Sequence, residues 1–396
     1  MVTIKAQTSP RNAARYFDEH LSRDDYFSEK QQTTGRWFGR GCETLGVESE
    51  SVVEQEPFVA LCQGLRPDDH SKLTQRATTN RRCLYDLTVS APKSLSIMAL
   101  VAGDARLIAA HEKAVAVTLA AAEELARVRV RKGAAVDTRQ SRVTGNLIGA
   151  QFLHRESRAL DPQLHTHCVI FNVTHDPVEQ RLKALEPRQF YDQSKQLTQI
   201  YRDHLSQSLR ELGYETYLDR QRCPQIRGVD KNLITTFSKR AAQRDALVAL
   251  SEQQLGRSLS KTEVARVVHQ NRAKKQQRID PDALRKFQLE QLPPAGRLRL
   301  EKLKERAMTG PRQPVISSAR TLPPVPGVTM PGVNWIAVVR LALLAARSVD
   351  INPHLFAPQL SFPQRVIQGG RYLQNFRRFQ SFLRYAQKNQ QKEFIR

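Results

Sequence analysis

Residues 164–172 read Leu-His-Thr-His-Cys-Val-Ile-Phe-Asn, an otherwise apolar run that holds two histidines one residue apart. We interpret the run as a β-strand. Side chains two residues apart on a strand point to the same face, so His165 and His167 project together, about 7 Å apart at their Cα atoms. This spacing is one by which a β-sheet presents a metal ion.

A second strand is predicted just upstream, and it carries a third histidine. Residues 147–154 end at His154, and a polar loop over residues 155–163 separates the two runs. If the strands pair antiparallel, His154 lies beside His165. Three imidazoles suit a borderline divalent ion, with positions left open for water or substrate. The alternative is a set of ordinary core or loop histidines.

The charge of the chain indicates its partner. The 396 residues include 62 Lys and Arg against 39 Asp and Glu, a formal net charge of +23, which is typical of proteins that bind nucleic acid. An anionic membrane surface would also attract such a chain, but no secretory signal precedes residue 30 and no uncharged apolar run reaches about 18 residues. The five cysteines form no Cys-x-x-Cys pair, so neither a zinc ribbon nor a disulfide framework is predicted. We expect a cytoplasmic protein.

Two tyrosines lie early in the chain, in the pairs Tyr16-Phe17 and Tyr26-Phe27. Aromatic packing explains most tyrosines. A catalytic role requires a metal and a phosphate nearby, because a phenol with a pKa of about 10 is a poor nucleophile at neutral pH unless positive charge lowers that pKa.

Residues 84–94 are predicted to form a strand that runs into a helix, since polar and apolar residues alternate along the first part. Ser90 is the expected N-cap, with Pro92 in the first turn, and Lys93 lies where a helix N-terminus already favours an anion such as phosphate. Asp86 is either a solvated strand residue or the carboxylate that orients a metal-bound histidine, because ligand imidazoles usually donate their second N–H to such a group.

Together these segments resemble the conjugative relaxases of the TrwC/TraI type, the MobF class within the HUH endonucleases. The carrying motifs occur in the family's order: Tyr16-Phe17, Tyr26-Phe27, Trp37-Phe38-Gly39-Arg40-Gly41, residues 86–94 (Asp-Leu-Thr-Val-Ser-Ala-Pro-Lys-Ser) and residues 157–167 (Ser-Arg-Ala-Leu-Asp-Pro-Gln-Leu-His-Thr-His). Weaker support comes from residues 185–188 and 237–240. The resemblance covers about residues 1–290.

The resemblance implies a metal-dependent transesterification at a plasmid origin of transfer. Tyr16, as the family's first tyrosine, is expected to attack one DNA strand, which leaves a 5′-phosphotyrosine link and a free 3′-OH. Tyr26 is expected to serve a later strand transfer. Many relatives carry adjacent tyrosine pairs where this chain has Tyr-Phe, so the second reaction would depend on Tyr26 alone.

The resemblance also implies the roles of the metal centre. His154, His165 and His167 are expected to bind a divalent cation that stabilises charge growing on the phosphate, with Mg²⁺ or Mn²⁺ favoured and Zn²⁺ as an alternative. Asp86 is expected to orient His165 or His167 and to assist the proton of the phenol. No nucleotide cofactor is required.

The implied fold is α+β: a central antiparallel β-sheet with the three histidines on its middle strands, flanked by helices that close over single-stranded DNA. DNA contacts are expected from basic residues beside the metal and on the later helices, namely Lys93, Arg155, Arg158, Lys239, Arg240 and Arg272. The expected partners are single-stranded and hairpin DNA at an origin of transfer. Accessory relaxosome proteins, a separate helicase and a type IV secretion coupling protein are further candidates.

Three regions are expected along the chain: a relaxase domain over residues 1–290, a Pro-rich linker over residues 291–331, and a basic helical tail over residues 332–396 that docks DNA or a partner. Relatives commonly continue into a helicase. This chain has no Gly-x-x-x-x-Gly-Lys-Ser/Thr phosphate loop, so unwinding is expected from another protein, or the chain is a fragment or a shortened mobilisation protein.

Two other functions are compatible with parts of the sequence. A rolling-circle replication initiator would share the histidine strand and the chemistry, and would differ in the DNA on which it acts. A non-catalytic single-stranded DNA-binding protein would explain the charge but not the combination of histidines and tyrosines.

Overall fold

The structure is a computed structural model, and it describes residues 1–7, 35–75, 82–130, 140–271 and 281–310. All of these residues belong to one unit, Met1–Ser317. Tyr16, Tyr26 and Arg272 lie outside the described residues, as does the expected tail.

The sheet that carries the histidines has five strands. The described strands are β1 (Val2–Gln7), β2 (Arg36–Phe38), β3 (Leu84–Ser90), β4 (Arg127–Arg129), β5 (Ser141–Val143), β6 (Gly149–Glu156), β7 (Pro162–Phe171), β8 (Thr174–Asp176), β9 (Arg181–Lys183), β10 (Thr216–Leu218) and β11 (Pro224–Ile226). The main sheet has the order β1-β3-β7-β6-β2, and every neighbouring pair is antiparallel. The other strands form the ribbons β4-β5, β8-β9 and β10-β11.

Helices follow and separate these strands. They are α1 (Gln55–Gln63), α2 (Lys93–Leu100), α3 (Ala105–Glu123), α4 (Arg188–Asp192), α5 (Ser194–Glu211), α6 (Lys231–Thr236), α7 (Lys239–Leu255), α8 (Lys261–Gln270), α9 (Pro281–Glu290) and α10 (Pro294–Thr309), with a 3₁₀ turn at Cys42–Leu45. The mixed composition and the central antiparallel sheet confirm the α+β prediction. In the described part of the chain, no helix combines the length and the apolar content that a membrane span needs.

One face of the sheet packs against α2, α3 and α5. Leu87 and Val89 of β3 are fully buried in this core, with Leu95 of α2 and Leu205 of α5. Each such side chain contributes roughly 1.5–3 kcal/mol by leaving water. Because side chains alternate along a strand, burial of Leu87 and Val89 on this face turns Asp86 to the other.

Aromatic residues cover part of the opposite face. The Phe58 ring of α1 lies 5.2 Å from the Phe171 ring and 6.0 Å from the Phe152 ring, measured between centroids, and Trp37 lies 6.0 Å from Phe171. Phe152 pairs directly with His167 across β6 and β7. The aromatic cluster therefore borders the histidines on one continuous surface of the sheet.

The turn between β6 and β7 is shorter than the polar loop predicted over residues 155–163. β6 continues to Glu156, and β7 already begins at Pro162, because the first position of a strand tolerates a residue without a backbone N–H. A register shift lies between His154 and Glu156, and before it His154 pairs with His165 as predicted.

The start of α2 differs from the prediction. Ser90 does not cap the helix: it remains in β3 opposite His165, and Pro92 occupies the N-cap position with no side-chain cap hydrogen bond. The N-cap prediction is wrong because the β3–β7 ladder continues as far as Ser90. The buried Ser96 hydroxyl instead accepts a hydrogen bond of 3.0 Å from the Leu164 amide.

The segment predicted as a linker over residues 291–331 contains a packed helix. α10 occupies Pro294–Thr309, and its Leu300 and Ala307 are buried in the main core. The pair Pro293-Pro294 is the reason for the difference: it begins the helix, where proline is well tolerated, rather than a linker. Residues 311–331 lie outside the described residues, so the three-region division itself stays a prediction.

The motif Trp37-Phe38-Gly39-Arg40-Gly41 joins the edge strand β2 to α3. Gly39 has φ +102°, and a Cβ atom there would lie 2.2 Å from the carbonyl oxygen of Leu147. The buried Glu123 carboxylate accepts hydrogen bonds from the backbone amides of Arg40 (2.7 Å) and Leu147 (2.8 Å). Glycine is therefore required at residue 39 by both backbone conformation and space.

Candidate metal centre

Three histidines meet on the face of the sheet that also carries the aromatic cluster. His165 and His167 share a face of β7, and His154 of β6 lies opposite His165 in the ladder. The centroids of the three rings are 5.0–5.2 Å apart, and their candidate ligand nitrogens all lie within 4.8 Å of one another. Among the described residues this is the one group of three or more His, Cys, Asp or Glu side chains close enough to hold a metal ion.

Hydrogen bonds fix two of the imidazole rings. Nδ1 of His165 lies 2.9 Å from the carbonyl oxygen of Gln163, and Nδ1 of His167 lies 3.0 Å from both carboxylate oxygens of Asp86. A carbonyl or carboxylate oxygen can only accept, so Nδ1 is the donor in both rings and Nε2 carries the lone pair. Both rings are therefore in the tautomer that presents Nε2 to a metal.

The carboxylate of Asp86 is itself held in place. Asp86 is only 4% exposed on β3, and one of its oxygens accepts a hydrogen bond of 3.1 Å from the Thr88 hydroxyl. The sequence could not decide between His165 and His167 as its partner. The register pairs Thr88 with His167, and this puts Asp86 beside His167.

The charge state of the site suits a metal. Burial lowers the pKa of His165 to about 4, and the neighbouring His167 acts in the same direction. Metal ligation needs neutral imidazole. Three imidazoles within one ion's reach, two of them oriented by backbone or carboxylate oxygen, fit a divalent cation.

The expected DNA-contacting lysines lie around the β6–β7 turn. The Lys93 ammonium donates a hydrogen bond of 3.0 Å to the Pro162 carbonyl, and burial lowers the pKa of Lys93. The backbone amide of Lys239 donates to the buried carboxylate of Asp161 at 3.0 Å, and its ammonium lies 3.7 Å from the same carboxylate. Both lysines thus have structural contacts that their sequence positions did not predict.

The expected arginines are placed differently. Arg155 and Arg158 are half-buried beside the turn, and the Nε atom of Arg155 is buried without a hydrogen-bond partner in the structure. Arg240 is exposed at the start of α7, close enough for its charge to help lower the pKa of His165 after burial and His167. Arg240 is therefore a predicted DNA contact whose charge acts on His165.

Sequence reasoning missed two groups that act on the histidines. The Gln163 carbonyl, which holds His165, is a backbone group and has no side-chain signal. Thr88 could have been found from the sequence, because it lies two residues after Asp86 and so shares its face of β3. Tyr16 and Tyr26 lie outside the described residues, and their positions relative to the histidines stay predictions.

The fold and site together define a class of protein: an antiparallel sheet that presents a three-histidine metal centre in a strongly basic chain. A family model described as TrwC relaxase matches residues 10–293. The chain therefore belongs to the TrwC relaxase family, and the resemblance seen in the motifs is confirmed.

Known relatives agree with this assignment. Multifunctional conjugation protein TraI of Escherichia coli K12 is 36% identical over an alignment of 225 residues, which covers 54% of this chain and 12% of TraI. The conjugative relaxase TrwC, solved in complex with oriT DNA in a metal-bound form, is 32% identical with a TM-score of 0.63 over 74% of this chain and 97% of that one. TrwC complexed with a 27-mer DNA comprising the recognition hairpin and the cleavage site is 30% identical, with a TM-score of 0.62 and the same coverage. The chain thus spans about an eighth of the length of the curated TraI relative.

Metal binding in a similar structure and the histidine triad of this chain together support the use of a divalent metal.

Proposed function

We propose that this protein is a site- and strand-specific DNA relaxase, which nicks and transfers one strand at a plasmid origin of transfer during conjugation or mobilisation. The observation that carries the proposal is the three-histidine centre on the central strands, with Asp86 against His167. The relative TrwC, which has been solved with oriT DNA and with metal, supports it.

His154, His165 and His167 would hold the cation, for which we propose Mg²⁺ or Mn²⁺. When bound, the ion would polarise the phosphate oxygens and stabilise negative charge as it grows on phosphorus. Asp86 and the Gln163 carbonyl keep two of the rings in the required tautomer, so that no reorientation is needed when DNA arrives.

Tyr16 is the proposed nucleophile, and the family match includes it because the match begins at residue 10. Its phenol oxygen would bond to phosphorus while the bond from phosphorus to the 3′ oxygen breaks. The phenol gives up its proton, and the departing 3′ oxygen gains one. The phosphotyrosine keeps the energy of the original ester, so the 3′-OH can reverse the reaction without a nucleotide cofactor. Tyr26 would attack in the later transfer that ends the cycle.

The DNA would be held by cations near the histidines. Arg155, Arg158 and Arg240 are proposed as backbone contacts, because guanidinium groups beside a phosphate site neutralise its charge. Lys93 and Lys239 are proposed to act mainly by holding the turn that precedes His165. Arg272 is proposed as a contact from its place in the basic sequence alone.

The wider setting is also proposed. Single-stranded and hairpin DNA at an origin of transfer would be the substrate, and accessory relaxosome proteins, a separate helicase and a type IV secretion coupling protein would be partners. Residues 1–290 would be the relaxase domain. We propose a cytoplasmic location, where plasmid DNA is accessible.

The test is cleavage of a labelled single-stranded oligonucleotide from the transfer origin of the host plasmid, with Mg²⁺ or Mn²⁺ and with or without EDTA. We expect cleavage only with metal, and a downstream fragment joined covalently to protein through its 5′ phosphate. Tyr16→Phe should abolish the adduct.

Tyr191→Phe is the matched control, because Tyr191 is 42% exposed on α4 and has no proposed role in catalysis, and it should leave cleavage unchanged. Tight DNA binding with no adduct across several candidate origins would refute catalysis and favour a binding protein. An adduct that persists in Tyr16→Phe would refute the assignment of the nucleophile.

A further inference from the structure

A buried network of hydrogen-bonded side chains lies behind the metal centre, on the opposite face of the sheet. Thr166 stands between His165 and His167 on β7, so its side chain points to the core. Its hydroxyl lies 2.9 Å from Nε2 of His111 on α3, and Nδ1 of His111 lies 2.7 Å from the Tyr201 hydroxyl on α5. Thr166 is 3% exposed, and the other two residues are fully buried.

Every polar side-chain atom of this Thr166–His111–Tyr201 network takes part in a hydrogen bond. A neutral imidazole has one donor and one acceptor nitrogen, and hydroxyl groups can do either, so both contacts of His111 are hydrogen bonds in either tautomer. The His111 and Tyr201 rings also pack edge to face, with centroids 5.6 Å apart and an interplanar angle of 81°. A buried network in which each polar atom is hydrogen-bonded makes a rigid support.

The direction of the contact to Thr166 is what matters for the metal. Thr166 pairs in register with Val89 on one side and Leu153 on the other, and the hydrogen-bonded ladders along both edges of β7 restrain the strand within the plane of the sheet. The hydrogen bond to His111 acts across the sheet, toward the helices. It therefore restrains the backbone between the two ligands in the direction in which the histidines project.

We propose that His111 and Tyr201 are positioning residues for the metal centre and act through Thr166. The inference rests on the proposed function in one respect, namely that the three histidines bind a metal. Without the hydroxyl contact, the segment of β7 between the two ligands can shift along the sheet normal, and the nitrogens no longer converge on one ion. Loss of groups that hold ligands indirectly weakens metal binding by roughly 10- to 100-fold.

The test uses Co²⁺, whose visible absorption reports ligand geometry, titrated into the full-length protein without DNA. Thr166→Val removes the hydroxyl and keeps the shape, and Tyr201→Phe removes the second hydroxyl. We expect roughly tenfold weaker Co²⁺ binding in Thr166→Val, a smaller loss in Tyr201→Phe, and altered absorption bands in both. Thr166→Ser keeps the hydroxyl and should restore wild-type affinity and spectrum.

Two buried hydroxyl groups that are not part of the Thr166–His111–Tyr201 network supply matched controls. Thr118 lies on the same helix as His111, and its hydroxyl donates to the Ala114 carbonyl at 2.7 Å. The Tyr214 hydroxyl donates to Asp104 at 2.7 Å. Thr118→Val and Tyr214→Phe should lower unfolding stability but leave Co²⁺ affinity and spectrum unchanged.

Wild-type Co²⁺ affinity and spectrum in both Thr166→Val and Tyr201→Phe would overturn the inference, as would equal weakening in the two control variants. Either result would leave metal binding by the wild-type protein, and hence the proposed function, intact. A wild-type protein that binds no Co²⁺ would overturn both.

Discussion

At the scale of single residues, the site depends on which ring nitrogen of each histidine is engaged in a hydrogen bond. Asp86 and the Gln163 carbonyl engage Nδ1 of His167 and His165, and a different partner at Nε2 would remove the same rings from metal binding. The sequence indicated a carboxylate for this role, because Asp86 lies in an alternating strand. It could not indicate Gln163, since every residue has a carbonyl group and only the path of the backbone decides where that group points.

His111 gives a prediction about stability and pH. Burial, followed by the nearby charges of His165 and the N-terminal amine, lowers the pKa of His111 from 6.5 to about 3. Below pH 6.5 the unfolded chain gains a proton at His111 that the folded protein does not, so stability falls as the pH drops from about 6.5 toward 3. Where the unfolded protein carries one full proton more than the folded protein, the free energy of unfolding changes by about 1.4 kcal/mol per pH unit.

Urea unfolding at pH 6, 5 and 4 measures this slope. Wild-type protein should lose about 1.4 kcal/mol per pH unit more than His111→Gln over this range, because glutamine does not titrate and every other group is common to the two proteins. Parallel pH profiles for the two proteins would mean that His111 is protonated in the folded state.

At the scale of elements, local patterns predicted what lies close in the sequence. The strand pair β6–β7 and the contact of His154 with His165 followed from histidine spacing and one short polar loop. The pairing of β3 with β7 did not follow, because Ser90 and His165 meet from distant parts of the chain and no turn sets their register. The helix at Pro294–Thr309 was missed for a related reason: its burial depends on Leu300 and Ala307 reaching a core built by earlier residues.

The link between β2 and α3 gives a prediction at this scale. Gly39→Ala would need φ +102° and a Cβ atom 2.2 Å from the Leu147 carbonyl oxygen, so the turn must shift and weaken the two amide hydrogen bonds to Glu123. We expect the free energy of unfolding to fall by at least about 2 kcal/mol, as measured by urea denaturation.

Gly46→Ala is the matched control for this change. Gly46 also has a positive φ, +67°, but an added Cβ atom there meets nothing within 4 Å. Its expected loss is about 1 kcal/mol, from the backbone conformation alone. Equal losses at the two glycines would show that the close approach to Leu147 carries no extra energy.

At the scale of the whole molecule, many of the basic residues lie in the sequence far after the three histidines. Residues 311–396 contain 12 Lys and Arg and 2 Asp and Glu, so they hold a large part of the net charge of +23. The proposed catalytic and metal-binding side chains all lie before residue 168. The proposed cleavage residues and a large share of the positive charge that attracts DNA thus lie in different parts of the chain. An experiment can therefore separate DNA cleavage from DNA attraction.

A truncated variant that ends at Gly310 tests whether DNA cleavage and DNA attraction are separable. We expect it to retain metal-dependent cleavage of a short oligonucleotide at low salt, because the sheet, α10 and the histidines are kept. Its affinity for longer single-stranded DNA should fall, and the slope of log affinity against log salt should become shallower by about 0.7 for each phosphate that the shortened chain no longer neutralises. Fluorescence anisotropy at salt concentrations from about 50 to 200 mM measures both quantities. An unchanged slope with the full chain and the shortened chain would assign DNA attraction to the first 310 residues alone, and would leave residues 311–396 for contacts with a protein partner.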